Sequence, residues 1–173
     1  MGLFFKKTSK FDEEISTENK KRLREIFNDA VSEGESYRIL YAGATDQAFR
    51  KGLIADTKAT TFHNYIVGYR REDFQVVILE IDRAMIQYAE PLYIDIDEIK
   101  ETNYYRKTRQ AWFVYKNGPA YGIKIEIGDS DANARYTIPN LHQEKERELF
   151  LNFFERYTNV LRKRGYSIDR WKR

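Results

Sequence analysis

The chain has 173 residues, 42% of them hydrophobic and 33% charged, with no cysteine and a net charge of +3. That length suits one domain with additions, able to bury roughly 70% of its unfolded surface. The missing thiols exclude a disulfide framework and a cysteine nucleophile, and no run approaches the roughly 18 apolar residues of a membrane span.

Residues 1–15 mix Lys6, Lys7 and Lys10 with Asp12, Glu13 and Glu14 and show no period, so a loose arm is expected. The order of Met1 to Lys7, apolar and then cationic, is the reverse of a secretory signal. Lys6 stands where a myristoylation signal wants Ser or Thr. Ser16 or Thr17 is placed to cap a first helix. Leu23, Ile26, Phe27, Ala30 and Val31 then follow the spacing of one helical face, and Gly34 supplies a left-handed end. This amphipathic helix docks on its own domain or on a second copy of the chain.

Tyr37–Tyr41 reads as a short strand broken by Gly43; residues 44–60 are ambiguous, with Gln47 to Ile54 fitting helix or strand. Tyr65–Tyr69 and Phe74–Ile81 are strands flanking the turn Arg70–Asp73. The second is apolar on both faces, which suits a central strand covered on both sides. Leu92 to Asp97 alternates, with Leu92, Ile94 and Ile96 inward and Asp95 and Asp97 sharing the outer face. Trp112–Tyr115 and Tyr121–Ile127 flank the turn Asn117-Gly118-Pro119. After a turn at 128–133, Ala134, Tyr136 and Ile138 alternate as a last strand that Pro139 stops.

Asn140 and Gln143 form a capping pair for a final helix reaching about Arg164. On a helical wheel Leu149, Phe150, Phe153, Phe154, Tyr157, Val160 and Leu161 fall in one arc of roughly 140°, with Leu151 outside it. So bulky a face needs a concave apolar surface. The expected fold is α+β: a bent antiparallel sheet or split barrel of six to seven strands with one wet face, closed by a C-terminal amphipathic helix and preceded by an extra N-terminal helix. The expected divisions are an arm and helix over 1–34, one domain over 35–164 and a basic tail over 165–173.

This pattern resembles the pleckstrin-homology-like fold, in particular its small bacterial members. The resemblance covers about Tyr37 to Leu161. It rests on meandering strands, the segment Tyr93-Ile-Asp-Ile-Asp-Glu-Ile99, and a last strand feeding one C-terminal amphipathic helix. It implies a scaffold that binds lipid headgroups, peptides or partner proteins. The N-terminal helix and basic tail depart from it.

Enzyme motifs are missing: there is no GxGxxG, phosphate loop, GxSxG or HExxH. No catalytic residue, cofactor or metal is therefore expected. His63 and His142 read as structural or idle. Asp129, Asp131 and Asn133 fit the start of a calcium loop, but Ala134 and Asn140 occupy the positions that need Gly and Glu, so a polar turn is the better reading. Asp95 and Asp97 read as solvated carboxylates, since no phosphate loop accompanies them.

Two basic patches remain. Tyr104, Tyr105, Arg106, Lys107 and Arg109 place guanidinium groups, which grip phosphate bidentately, beside aromatic rings; Arg70 and Arg71 occupy another turn that could converge on them. The tail carries Arg162, Lys163, Arg164, Arg170, Trp171, Lys172 and Arg173, and from Arg162 onward it holds a local charge of +5, leaving −2 for everything before it. Such a tail suits an anionic membrane surface or nucleic acid. The expectation is a non-enzymatic cytoplasmic binding module, peripheral at the membrane in one version, whose partner is a protein or an anionic surface before a nucleic acid. Self-association through the N-terminal helix is a further option.

Overall fold

The computed structural model describes residues 11–50, 57–117 and 122–165; side chains are described from 11 to 47, 59 to 117 and 122 to 165. Two α-helices, α1 (Glu13–Ala30) and α2 (Glu144–Lys163), enclose seven strands: β1 (Arg38–Arg50), β2 (Thr57–Tyr69), β3 (Val76–Ile81), β4 (Leu92–Ile94), β5 (Ile99–Tyr105), β6 (Gln110–Tyr115) and β7 (Ile123–Glu126). The sheet is antiparallel and open, in the order β4-β3-β2-β1-β7-β6-β5. The expected α+β class, strand number and closing helix are all present.

The first half, β1 to β3, is covered on both faces. Along β3, Val76 and Ile78 enter one core while Val77, Leu79 and Ile81 enter another. This alternation follows from the two-residue period of a strand, and it corrects the expectation of a single wet face. The first core holds the aromatic side of α2: Phe150, Phe153, Phe154, Tyr157 and Leu161 are at most 1% exposed. They seat against β1–β3 and also against Ile99, Tyr104, Phe113 and Ile125 of the second half. The second core holds α1, through Leu23, Ile26, Phe27 and Val31, on the opposite face of β1–β3. Its apolar side is thus buried on its own domain.

Phe27 lies directly on β2 at Gly68, where an added Cβ would come within 2.1 Å of the Phe27 ring. Such closeness admits no side chain, so glycine sets how far α1 can sink onto the sheet.

Several local expectations change. Asp12, not Ser16 or Thr17, caps α1, its carboxylate accepting from the amides of Glu14 and Ile15. Ser16 is buried and instead accepts from the His142 amide. The left-handed residue after α1 is Glu33, at φ 56°. Gly34 is needed for closeness, because a Cβ there would lie 2.8 Å from the Asn28 Cα. Gly43 does not break β1, which runs on to Arg50 and pairs with β2 throughout residues 44–50. Leu92 is 45% exposed, standing on the three-residue strand at the sheet edge. Asp95 and Asp97 do not share a strand face: Asp95 caps a 3-10 turn over Ile96–Glu98. Residues 134–138 form no strand; Ser130 and Leu141 make an isolated bridge around this loop, and Ile138 is still buried. Tyr121, Gly118 and Pro119 lie outside the described residues.

Candidate functional site

The sheet is weakest between its halves. β1 pairs with β7 at Gly43 and Glu126 alone, after which the strands diverge, and the side chain of Gln143 fills the gap. Its amide nitrogen donates to the carbonyls of Tyr41 and Gly128, each at 2.7 Å, and its oxygen accepts from the Tyr41 amide at 2.9 Å. One buried glutamine thus stands in for a missing strand. Its own backbone amide donates to Asp129 (2.8 Å), whose other carboxylate oxygen lies 3.6 Å from Arg147. The start of α2 is therefore capped by a residue of the preceding loop, not by an Asn140–Gln143 pair. Asn140 instead accepts from the Asp12 amide.

Beyond Gln143 the edge of β1 is open. Groups that face a neighbouring strand alternate along a strand. Since Tyr41 presents its amide and carbonyl to Gln143, away from β2, those of Ile39 point the same way. No described segment pairs with Ile39 on that side. This edge floors a cavity of about 580 Å³, walled by Lys20, Leu23 and Arg24 of α1 and by Lys145, Glu146 and Leu149 of α2. Ligand cavities commonly fall in the range of roughly 300–1,000 Å³.

The rim is cationic. Lys20, Arg24, Arg38 and Lys145 face Glu146, the sole acidic lining residue among the described residues. Glu146 is engaged by Lys20 at 3.0 Å. Arg24 donates to the Gly34 carbonyl at 3.2 Å, and burial pulls its guanidinium below the usual range, with Glu35 acting against this. Arg38 and Lys145 are exposed and have no carboxylate partner among the described residues.

The residues singled out from sequence are spread over other places. Arg106, Lys107 and Arg109 are exposed on the turn joining β5 to β6, and Arg109 leans toward Gly128. Tyr104 turns inward, is 7% exposed and packs on Phe154. Tyr105 lies on the outer face of β5–β7, 5.1 Å from the Trp112 ring, which Lys124 covers from 4.5 Å. Arg70 does not converge on this turn. It is engaged by Asp73, Glu33, Ser36 and the Tyr37 ring beside the opposite end of β2, with Arg71 next to it. The Asp73 hydrogen bond raises the Arg70 pKa and holds the Asp73 carboxyl below its usual range. In the tail, Arg162, Lys163 and Arg164 are exposed, and Arg164 pairs with Asp97. Arg170, Trp171, Lys172 and Arg173 lie outside the described residues.

Both histidines lie against carboxylates. His142 stacks on Phe11 and meets Glu13 at 2.8 Å. His63 lies between Glu80 (2.6 Å, on Nδ1) and Asp46 (3.3 Å, on Nε2), linking β1, β2 and β3. The two carboxylates meet opposite nitrogens, so they cannot share one metal ion with that ring. Among the described residues no group of three or more such side chains is placed to hold a metal, and no described helix is long and apolar enough to cross a membrane.

Sequence reasoning missed Lys20, Arg24, Arg38, Ile39, Gln143 and Lys145. No local signal marks them, because the six positions span more than 120 residues. The chain matches no protein-family model, no curated protein and no solved structure.

Proposed function

We propose that this chain is a non-enzymatic binding module on a pleckstrin-homology-like scaffold, and that it takes an acidic protein partner in the groove between α1 and α2. The observation that carries this reading is the cavity at the open edge of β1, where Lys20, Arg24, Arg38 and Lys145 outnumber Glu146. The turn at Arg106–Arg109 is an exposed hairpin connection between β5 and β6. Arg109 also shares its cavity with Asp129 and Asp131, whose carboxylates offset its charge. A concave site with convergent cations and an apolar floor gives a protein segment both contact area and orientation.

A fluorescein-labelled oligoglutamate of ten residues is the probe, with oligolysine as control. Binding to oligoglutamate alone, weakened by salt and about tenfold by Arg38→Glu/Lys145→Glu, is the expected result. Phosphatidylserine vesicles and a single-stranded oligonucleotide are run alongside. Vesicle binding lost on Arg106→Ala/Lys107→Ala/Arg109→Ala, with oligoglutamate ignored, would replace the groove with the hairpin tip. A mobility shift that disappears without residues 165–173 would move the function to the tail.

A further inference from the structure

The groove contains an unfilled position in a β-sheet, and this suggests how a partner would lie in it. We infer that the partner binds as an extended acidic strand added to the edge of β1 at Ile39, continuing the sheet where β7 departs and Gln143 takes over. The inference rests on the proposed groove function and goes further by naming the conformation and backbone pairing of the ligand.

Three observations support it. First, Gln143 shows what the edge requires. At Tyr41 it supplies one acceptor and one donor, the pattern that a neighbouring strand's peptide groups would supply. At Ile39, two residues along, the same pair of backbone groups faces the same side and meets no described partner. An exposed edge of this kind is a template for strand addition. A headgroup phosphate, being an acceptor, could engage the Ile39 amide but could not donate to its carbonyl; a peptide does both.

Second, the walls suit a strand. Side chains of an added strand would alternate toward α1 and toward α2. The α1 wall offers Leu23 with two cations, Lys20 and Arg24, whereas the α2 wall offers Leu149 with Lys145 and Glu146, whose charges offset. A strand of alternating acidic and apolar residues, its acidic side chains toward α1 and its apolar ones toward α2, therefore complements the groove.

Third, charge argues against the chain's own ends. Residues 1–10 carry three lysines and no carboxylate, and residues 166–173 carry three cations against Asp169. Either would bring positive charge to a positive rim. An acidic segment of a different protein is the occupant that charge selects.

The test uses the full chain and the labelled peptide Glu-Val-Glu-Val-Glu-Val-Glu, acetylated and amidated at its ends. A second version carries N-methyl groups on two consecutive central residues, which removes a backbone donor in either register but leaves every charge. The plain peptide should bind at least tenfold more tightly than the methylated one. At saturation, hydrogen exchange of the Ile39 amide should slow at least tenfold, while the Tyr41 amide, already bonded, changes little. Arg38→Glu/Lys145→Glu should weaken binding about tenfold, and Lys145→Glu alone, at an exposed position in the first turn of α2, should weaken it in the same direction with an unchanged melting temperature.

Equal binding of the two peptides, or unchanged Ile39 exchange, combined with loss in the charge-reversed variant, would overturn strand addition and leave the acidic-partner groove standing. If neither peptide binds, or charge reversal has no effect, both readings fall. Concentration-dependent protection of Ile39 without peptide, with a dimer seen by sedimentation, would assign the edge to a second copy and overturn the inference.

Discussion

The two halves of the sheet bury their residues differently. β1–β3 lie between α1 and α2, so both faces are apolar and even Gly68 is fixed by a neighbour's ring. β5–β7 have α2 on one face, and the other carries Glu101, Asn103, Tyr105, Trp112, Lys124 and Glu126 at half-buried to exposed positions. Helix α2 belongs to both halves, whereas α1 belongs to the first. The comparison predicts that α2 holds the domain together and that α1 and Gln143 act locally.

The largest test is Phe154→Ala. Phe154 is 1% exposed and packs on Tyr104 and Phe113 of the second half and on Phe150 of its own helix. Its truncation should cost about 3–5 kcal/mol in urea unfolding, with both halves lost in one transition. Two separate transitions would break the comparison.

Gln143→Ala comes next. It strands the Tyr41 amide and two carbonyls at the seam, and should cost about 2–4 kcal/mol. Hydrogen exchange should accelerate first at Tyr41, with Phe113 in β6 affected last.

Gly68→Ala should cost about 1–3 kcal/mol by forcing the Phe27 ring away. The added cost of Gly68→Ala should fall close to zero in a Phe27→Ala background, as thermal melts of the double-mutant cycle would show. Additive losses would mean that α1 does not rest on that glycine.

The smallest effect has the opposite sign. Tyr157 is fully buried in the first core and its hydroxyl makes no hydrogen bond with the described protein, whereas Tyr41 donates to Asn64 at 2.8 Å. Tyr157→Phe should therefore stabilise by about 1 kcal/mol, and Tyr41→Phe destabilise by about as much. Burial raises both phenols above their ordinary pKa. The stability linked to that shift is intact below the unfolded value of about 10 and is lost as the pH rises past it. Alkaline melting followed by tyrosinate absorbance should begin at higher pH in Tyr157→Phe than in the parent.

Much of this fold is legible in the residues. The aromatic arc from Phe150 to Leu161 announces a helix that plugs a core. The uninterrupted apolar run of β3 announces cover on both sides, although α1 could not be named as the second cover. The paired strands 65–69 and 74–81 follow from period and turn. Residues 44–60 were ambiguous because Gln47 to Ile54 carry no decisive period, and β1 is set as a strand by its thirteen-residue register with β2. The strand expected at 134–138 failed because alternation requires a partner, and that loop is held instead by Arg83, which donates to the carbonyls of Ala134 and Thr137.

The candidate site was barely legible. Clusters contiguous in sequence, such as Tyr104–Arg109, attract notice, yet Tyr104 turns into the core and Arg109 shares its hollow with Asp129 and Asp131.

The sequence alone determined the class of the fold, because hydrophobic period and turn chemistry act over a few residues and can be read there. Tertiary structure decided where β1 and β7 part, that Gln143 should fill the gap, and that cations from α1, β1 and α2 should ring the edge left open. These depend on distances between segments remote in the chain, which local periodicity does not encode.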